Sequence, residues 1–191
     1  AGGRARLGAF GVAAAVVAYV GLVWLARGEL GMTWDEPYFF ERQHDITLPA
    51  DYREFLLRAG NGGAGPMYGI YPLELWDRVM GQPLSNFLAR PSPLRPDMPE
   101  GLEWEEVLGC EFDELFQGAI TLNEQGCAYY GLLIVTGEFR GRVVYINSDR
   151  AGTPYFVAHD DFLSWYERWQ DEALAGWDGT WFGCGLPGSV E

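Results

Sequence analysis

The sequence contains no lysine: all 13 of its basic residues are arginines, and they stand against 27 acidic ones. Arg4, Arg6 and Arg27 precede the first carboxylate. From Glu29 onward ten arginines therefore face all 27 acids, a net charge of about −17. Such a body repels a phosphate backbone, because affinity for DNA or RNA comes largely from cationic side chains that release counterions. Nucleic acid is not an expected partner. The excess acid either serves solubility alone or suits a basic protein, whose encounter it would speed electrostatically.

Histidine is nearly as scarce, with His44 and His159 alone. No Ser/His/Asp arrangement, phosphate-cradling glycine loop or His-x-x-x-His pair is present, so the usual catalytic constellations are missing. Cys110, Cys127 and Cys184 are widely spaced and include no Cys-x-x-Cys pair, unlike a disulfide framework or a zinc site. Reduced, partly buried thiols are expected, with a Cys110–Cys127 bridge as the alternative. Cys127 lacks an adjacent base and reads as a small core hydrophobe. His159, Asp160 and Asp161 are consecutive at a helix start, where capping explains them better than metal ligation.

Charge is also absent from one long run. Leu7 to Ala26 are 20 uncharged, mostly apolar residues between Arg6 and Arg27, long enough to span a bilayer. Six are alanine and three glycine, so a core-associated helix reads similarly. Residues 1–34 thus form a hydrophobic N-terminal segment, either a membrane anchor through residues 7–26 or a helix packed on the body. In a spanning segment the preceding arginines favour an N-inside orientation.

The body, residues 35–191, is of a size for one domain. Asp35 to Asp45 fits a short helix with Pro37 in its first turn, and Ala50 to Ala59 a second, whose Tyr52, Phe55, Leu56 and Ala59 form an apolar face behind Pro49. Gly60-Asn61-Gly62-Gly63 stops it. Met67 to Leu73 reads as a strand, and the proline-rich stretch from Gln82 to Gly101 as a surface excursion. Ala119 to Leu122, Gly126 to Thr136 and Arg142 to Asn147 read as an antiparallel meander, with residues 137–141 as a hairpin loop and Tyr155 to Ala158 as an edge strand. A final helix, capped by His159 or Asp160 and running to Ala175, carries Phe162, Trp165, Tyr166, Trp169 and Ala173 as a stripe facing the sheet. Glycines and aromatics from Gly176 to Gly188 read as a pinned loop. The fold class is α+β: an antiparallel sheet of about 4–6 strands with N-terminal helices and an aromatic-faced C-terminal helix packed on it.

Ile46-Thr47-Leu48-Pro49-Ala50-Asp51-Tyr52-Arg53-Glu54-Phe55-Leu56-Leu57, followed by Gly60-Asn61-Gly62-Gly63-Ala64-Gly65-Pro66, resembles the opening of the SUKH superfamily in its Smi/Knr-like branch. Gly118-Ala119-Ile120, Glu124-Gln125-Gly126-Cys127 and Leu132 to Gly137 resemble its central sheet, and Phe162 to Trp169 its closing helix. The resemblance covers roughly residues 35 to 188. It implies a non-enzymatic protein-binding domain without cofactor or metal, and a cytoplasmic bacterial immunity protein that neutralises a cognate polymorphic toxin, many of which are nucleases. The alternative is a regulatory or scaffolding module attached to a membrane through residues 7–26. The expected partner surface is the acidic segment Glu103, Trp104, Glu105, Glu106, Glu111, Phe112, Asp113 and Glu114, whose aromatics would anchor a basic protein. A solvated face with Trp104 and Phe112 turned inward is the competing reading.

Overall fold

A computed structural model describes residues 36–79, 86–98, 112–149 and 153–176. The expected segment 1–34, residues 7–26 within it, Cys110, Cys184 and the aromatic tail beyond Gly176 lie outside the described residues.

The first helix, α1, runs Glu36–His44, with Glu36 in its first turn and Arg42 and His44 in its last, which complements the helix dipole. It ends at Asp45, whose left-handed φ of 54° a short polar side chain tolerates. Pro49 immediately precedes α2, Ala50–Arg58, which buries Tyr52, Phe55 and Leu56. Gly60 then turns the chain at φ 137°, with its N–H donating to Phe55 O at 3.2 Å. Glycine suits this position because a Cβ penalises positive φ.

Four strands follow: β1 Ala119–Gly126, β2 Tyr129–Ile134, β3 Val143–Asn147 and β4 Tyr155–Phe156. They form one antiparallel sheet in the order β1-β2-β3-β4. The meander is therefore as expected, but what reads as one strand from Gly126 to Thr136 is a strand preceded by a turn. Cys127 and Ala128, at φ 49° and 67°, make a tight reversal between β1 and β2. Two left-handed residues are what a two-residue hairpin turn of the favoured twist requires. The sequence hides it, because neither residue is glycine, asparagine or aspartate.

β1 is irregular. Its pairing with β2 shifts between Thr121 and Asn123, and again between Glu124 and Gly126. Such bulges bend a strand and re-aim its side chains. The outer edge of β1 is covered by the chain from Tyr71 to Trp76: Tyr71 N–H donates to Leu122 O at 2.6 Å, and Thr121 N–H to Trp76 O at 2.7 Å. The strand expected over Met67–Leu73 is not formed. Ile70 makes a single bridge with Gly63, and a 3-10 turn starts at Leu73 behind Pro72. Proline removes a ladder donor, which accounts for pairing by isolated bonds.

The proline-rich stretch also differs from expectation. Phe87, Leu88, Leu94 and Met98 are buried, and Ser92 N–H donates to Thr136 O at 2.8 Å. Among the described residues 86–98, these apolar side chains help fill the core.

The last helix, α3, spans Phe162–Leu174 and is capped by Asp161, whose side chain accepts from Ser164 N–H at 2.7 Å. The cap lies one or two residues beyond the expected His159 or Asp160. Phe162 packs edge-on to Tyr52 and Phe55, with ring centroids 4.9 and 5.1 Å apart. Tyr166 lies 5.0 Å from Phe55. Trp165 instead reaches the sheet, where its indole Nε1–H donates to the Tyr145 hydroxyl at 2.9 Å. The aromatic stripe thus locks α2 and the sheet together, and each buried ring contributes roughly 1.5–3 kcal/mol by leaving water.

Candidate functional site

The expected partner surface falls mostly outside the described residues: Glu103, Trp104, Glu105, Glu106 and Glu111 lie there. Phe112 and Asp113 begin a 3-10 turn, Phe112–Phe116, that leads into β1. Glu114 is half-buried, while Leu115 and Phe116 enter the core. That turn joins an acidic segment to a fully buried one.

The residues weighed for chemistry are dispersed. His44 sits between the Phe40 ring at 4.4 Å and the Trp76 ring at 4.9 Å. Burial holds its pKa below the usual range despite the opposing charge of Asp77. His159 is half-buried beside the cap, and Asp160, 3.8 Å from Arg142 Nη1, is almost fully exposed. Cys127, read from sequence as a core hydrophobe, is exposed, because the β1–β2 turn carries it out of the sheet. Among the described residues no group of three His, Cys, Asp or Glu side chains could hold a metal ion. Nor, among them, is any helix long and apolar enough to cross a membrane.

Polar groups do converge around the segment 61–71 and the end of β1. Asn61 Oδ1 accepts from Leu73 N–H at 2.6 Å, and its Nδ2 donates to the Glu74 carboxylate at 3.0 Å and to Glu36 Oε2 at 3.5 Å. Desolvation, and then the neighbouring Glu74 charge, raise the Glu36 pKa. Gly62 must be glycine: its φ is 87°, and a Cβ would stand 2.8 Å from both Ile70 O and Pro72 N. Gly63 and Ile70 exchange hydrogen bonds of 2.9 and 2.8 Å. The excursion between them, residues 64–69, is tied down by Tyr166 Oη–H to Ala64 O at 2.9 Å and by Asn123 Nδ2 to Pro66 O at 3.2 Å.

At its tip Met67 has φ 56°, a costly conformation for a side chain of that size. Tyr68 beside it is 75% exposed, the most exposed of the described large hydrophobic residues. Its phenol lies over Gly126, where an added Cβ would meet the hydroxyl oxygen at 3.2 Å. One residue back, Gln125 is 9% exposed, and both its Nε2 and its Oε1 are buried without a hydrogen-bond partner. Glu124, before it, accepts from the Tyr71 hydroxyl at 2.8 Å. Burial and that carboxylate push the Tyr71 pKa up to about 12, with Arg78 opposing.

Sequence reading passed over Asn61, Tyr68 and Gln125 as site residues. A signal was present in the polar run Asn123-Glu124-Gln125, which is out of place in a strand otherwise buried along most of its length.

An antiparallel meander clasped by two helices through aromatic side chains, with polar groups gathered at one sheet corner, defines an α+β domain. Comparison with protein-family models matches residues 35–168 to the SMI1 / KNR4 family (SUKH-1), and the chain belongs to that family. No curated protein and no solved structure matches it.

Proposed function

We propose that this chain is a non-enzymatic immunity protein that binds and neutralises a cognate toxin, covering the toxin's working face through shape and charge complementarity. The observation that carries the reading is the membership of residues 35–168 in the SMI1 / KNR4 family together with 27 acids against 13 arginines. A lysine-free acidic surface favours a basic protein, and a toxin that acts on nucleic acid is basic where it grips its substrate. Inhibition of this kind is stoichiometric and needs no covalent chemistry, cofactor or metal. The acidic segment Glu103–Glu114, with Trp104 and Phe112 as anchors, is one proposed contact, and the cytoplasm is the proposed location.

The test is co-expression of the full chain with the toxin encoded beside its gene. Rescue of growth with a one-to-one complex supports the reading, and unabated toxicity with no complex sinks it. In that event the apolar run Leu7–Ala26 favours a membrane-attached regulatory module, which membrane fractionation of the full chain would check.

A further inference from the structure

A helix on a protein surface ordinarily turns its apolar residues inward and its polar ones to water. α1 follows this rule on one side only. Pro37 is buried, Phe40 meets the Trp76 ring at 6.2 Å, and Glu41 accepts from Leu48 N–H at 2.9 Å, so this side faces the domain. The other side carries Tyr38, Phe39, Arg42 and Gln43, all exposed. Tyr38 and Phe39 are 50% and 59% exposed, and their rings meet edge to face with centroids 5.9 Å apart. Consecutive residues of a helix do not normally face each other, so this contact joins two side chains into one apolar patch. The other large exposed hydrophobics among the described residues, Tyr68, Leu75, Leu163 and Leu174, are not adjacent in sequence. Single ones need no partner, but a joined pair calls for one.

We propose that residues 7–26 of this same chain, the uncharged apolar run, dock on the Tyr38–Phe39 face of α1. Extended, residues 27–35 span up to about 30 Å, whereas α1, of nine residues, is about 14 Å long. The connection therefore lets the run fold back along the whole helix. A short tether also gives an effective concentration of about millimolar, so a modest contact suffices. The only charge among the four outward residues is that of Arg42, which disfavours a basic segment, and residues 7–26 carry none. A second copy fits less well: a ring buries roughly 150–250 Å² when fully covered, and a stable interface takes about 800 Å² from each partner. About half of each ring is covered already. A lipid surface fits less well too, because Glu29, Asp35 and Glu36 lie between the run and the aromatic pair and repel an anionic headgroup layer. Docked in this way, the run belongs to the domain and not to a membrane. The docking goes beyond the immunity reading and is independent of which protein the domain binds.

The test uses the full chain with p-benzoylphenylalanine in place of Phe39, illuminated and then digested with trypsin. Cleavage after Arg6, Arg27 and Arg42 releases residues 7–27 and 28–42 as separate peptides. The expected product is a chain of monomer mass in which these two peptides are joined, at least tenfold more abundant than with the photo-reactive residue in place of Leu163 on α3. In the unlabelled chain, Tyr38→Ser combined with Phe39→Ser should speed amide exchange of residues 7–26 at least tenfold while that of β2 stays unchanged. Illumination is repeated with phosphatidylcholine–phosphatidylglycerol vesicles. A cross-link confined to dimers assigns the face to a second copy, and a cross-link to lipid with the chain floating on the vesicles assigns it to a membrane. Either result, or no cross-link to residues 7–27 in the monomer, overturns the docking.

Discussion

The indole Nε1–H of Trp165 donates to the hydroxyl of Tyr145 at 2.9 Å, and both side chains are buried. The bond joins α3 to β3 at the centre of the sheet, so it holds the C-terminal helix in register over the strands. Tyr145→Phe removes this acceptor from a buried donor while keeping the ring. The expected loss is about 1–3 kcal/mol, read as a lower urea midpoint with an unchanged slope.

Gly118 has φ 66°, and a Cβ there would stand 2.6 Å from Ser92 N and 2.7 Å from Thr136 O, besides meeting Arg90 O. Backbone on three sides cannot yield as a flexible side chain would. Gly118→Ala should therefore cost at least about 2 kcal/mol, from overpacking and left-handed strain together, measured by thermal unfolding.

Asp161 caps α3, and its hydrogen bonds from Ser164 hold its carboxyl below the ordinary range. A depressed folded-state pKa means that the stability it adds is present above the unfolded pKa and is lost as pH falls through the folded one. Asp161→Asn keeps a capping acceptor and removes that dependence. Asp161→Ala should cost about 0.5–2 kcal/mol at neutral pH. Unfolding at pH 7 and pH 3 separates the two variants.

His44 behaves in the same direction by a different cause. Burial between Phe40 and Trp76 lowers its pKa, so the neutral ring stabilises the fold above the unfolded value of about 6.5, and this contribution fades as pH falls through the lower folded value. His44→Phe should flatten the stability profile over that range, a comparison made by denaturant titration at pH 7 and pH 5. Glu36 works against both in acid: its raised pKa adds stability that is present below the unfolded value and lost as pH rises through the folded one.

The architecture was legible where periodicity and stop signals agree. Tyr52, Phe55 and Leu56 at helical spacing, Gly60 behind them, and the β-branched runs around Ile134 and Val143 mark their elements plainly. The family resemblance of the Ile46–Pro66 opening is upheld by the match over residues 35–168. What stayed hidden depends on contacts between distant residues. Cys127 reads as core until the reversal at Cys127-Ala128 turns it outward. The proline-rich stretch reads as surface because the burial of Leu88 and Leu94 depends on sheet residues far along the chain. Met67–Leu73 reads as a strand because its isolated bonds to Gly63 and Leu122 resemble a ladder in composition alone. Gln125 drew no notice as a site residue, because whether a polar side chain finds a partner is decided only after the chain has folded.

The most direct measurement of the central claim is growth rescue by the full chain co-expressed with the toxin encoded next to it, coupled to calorimetry of the purified pair at low and high salt. The predicted result is rescue with one-to-one binding that weakens as salt rises, as an acidic surface meeting a basic one requires. Full toxicity and no heat of binding at either salt concentration would contradict it.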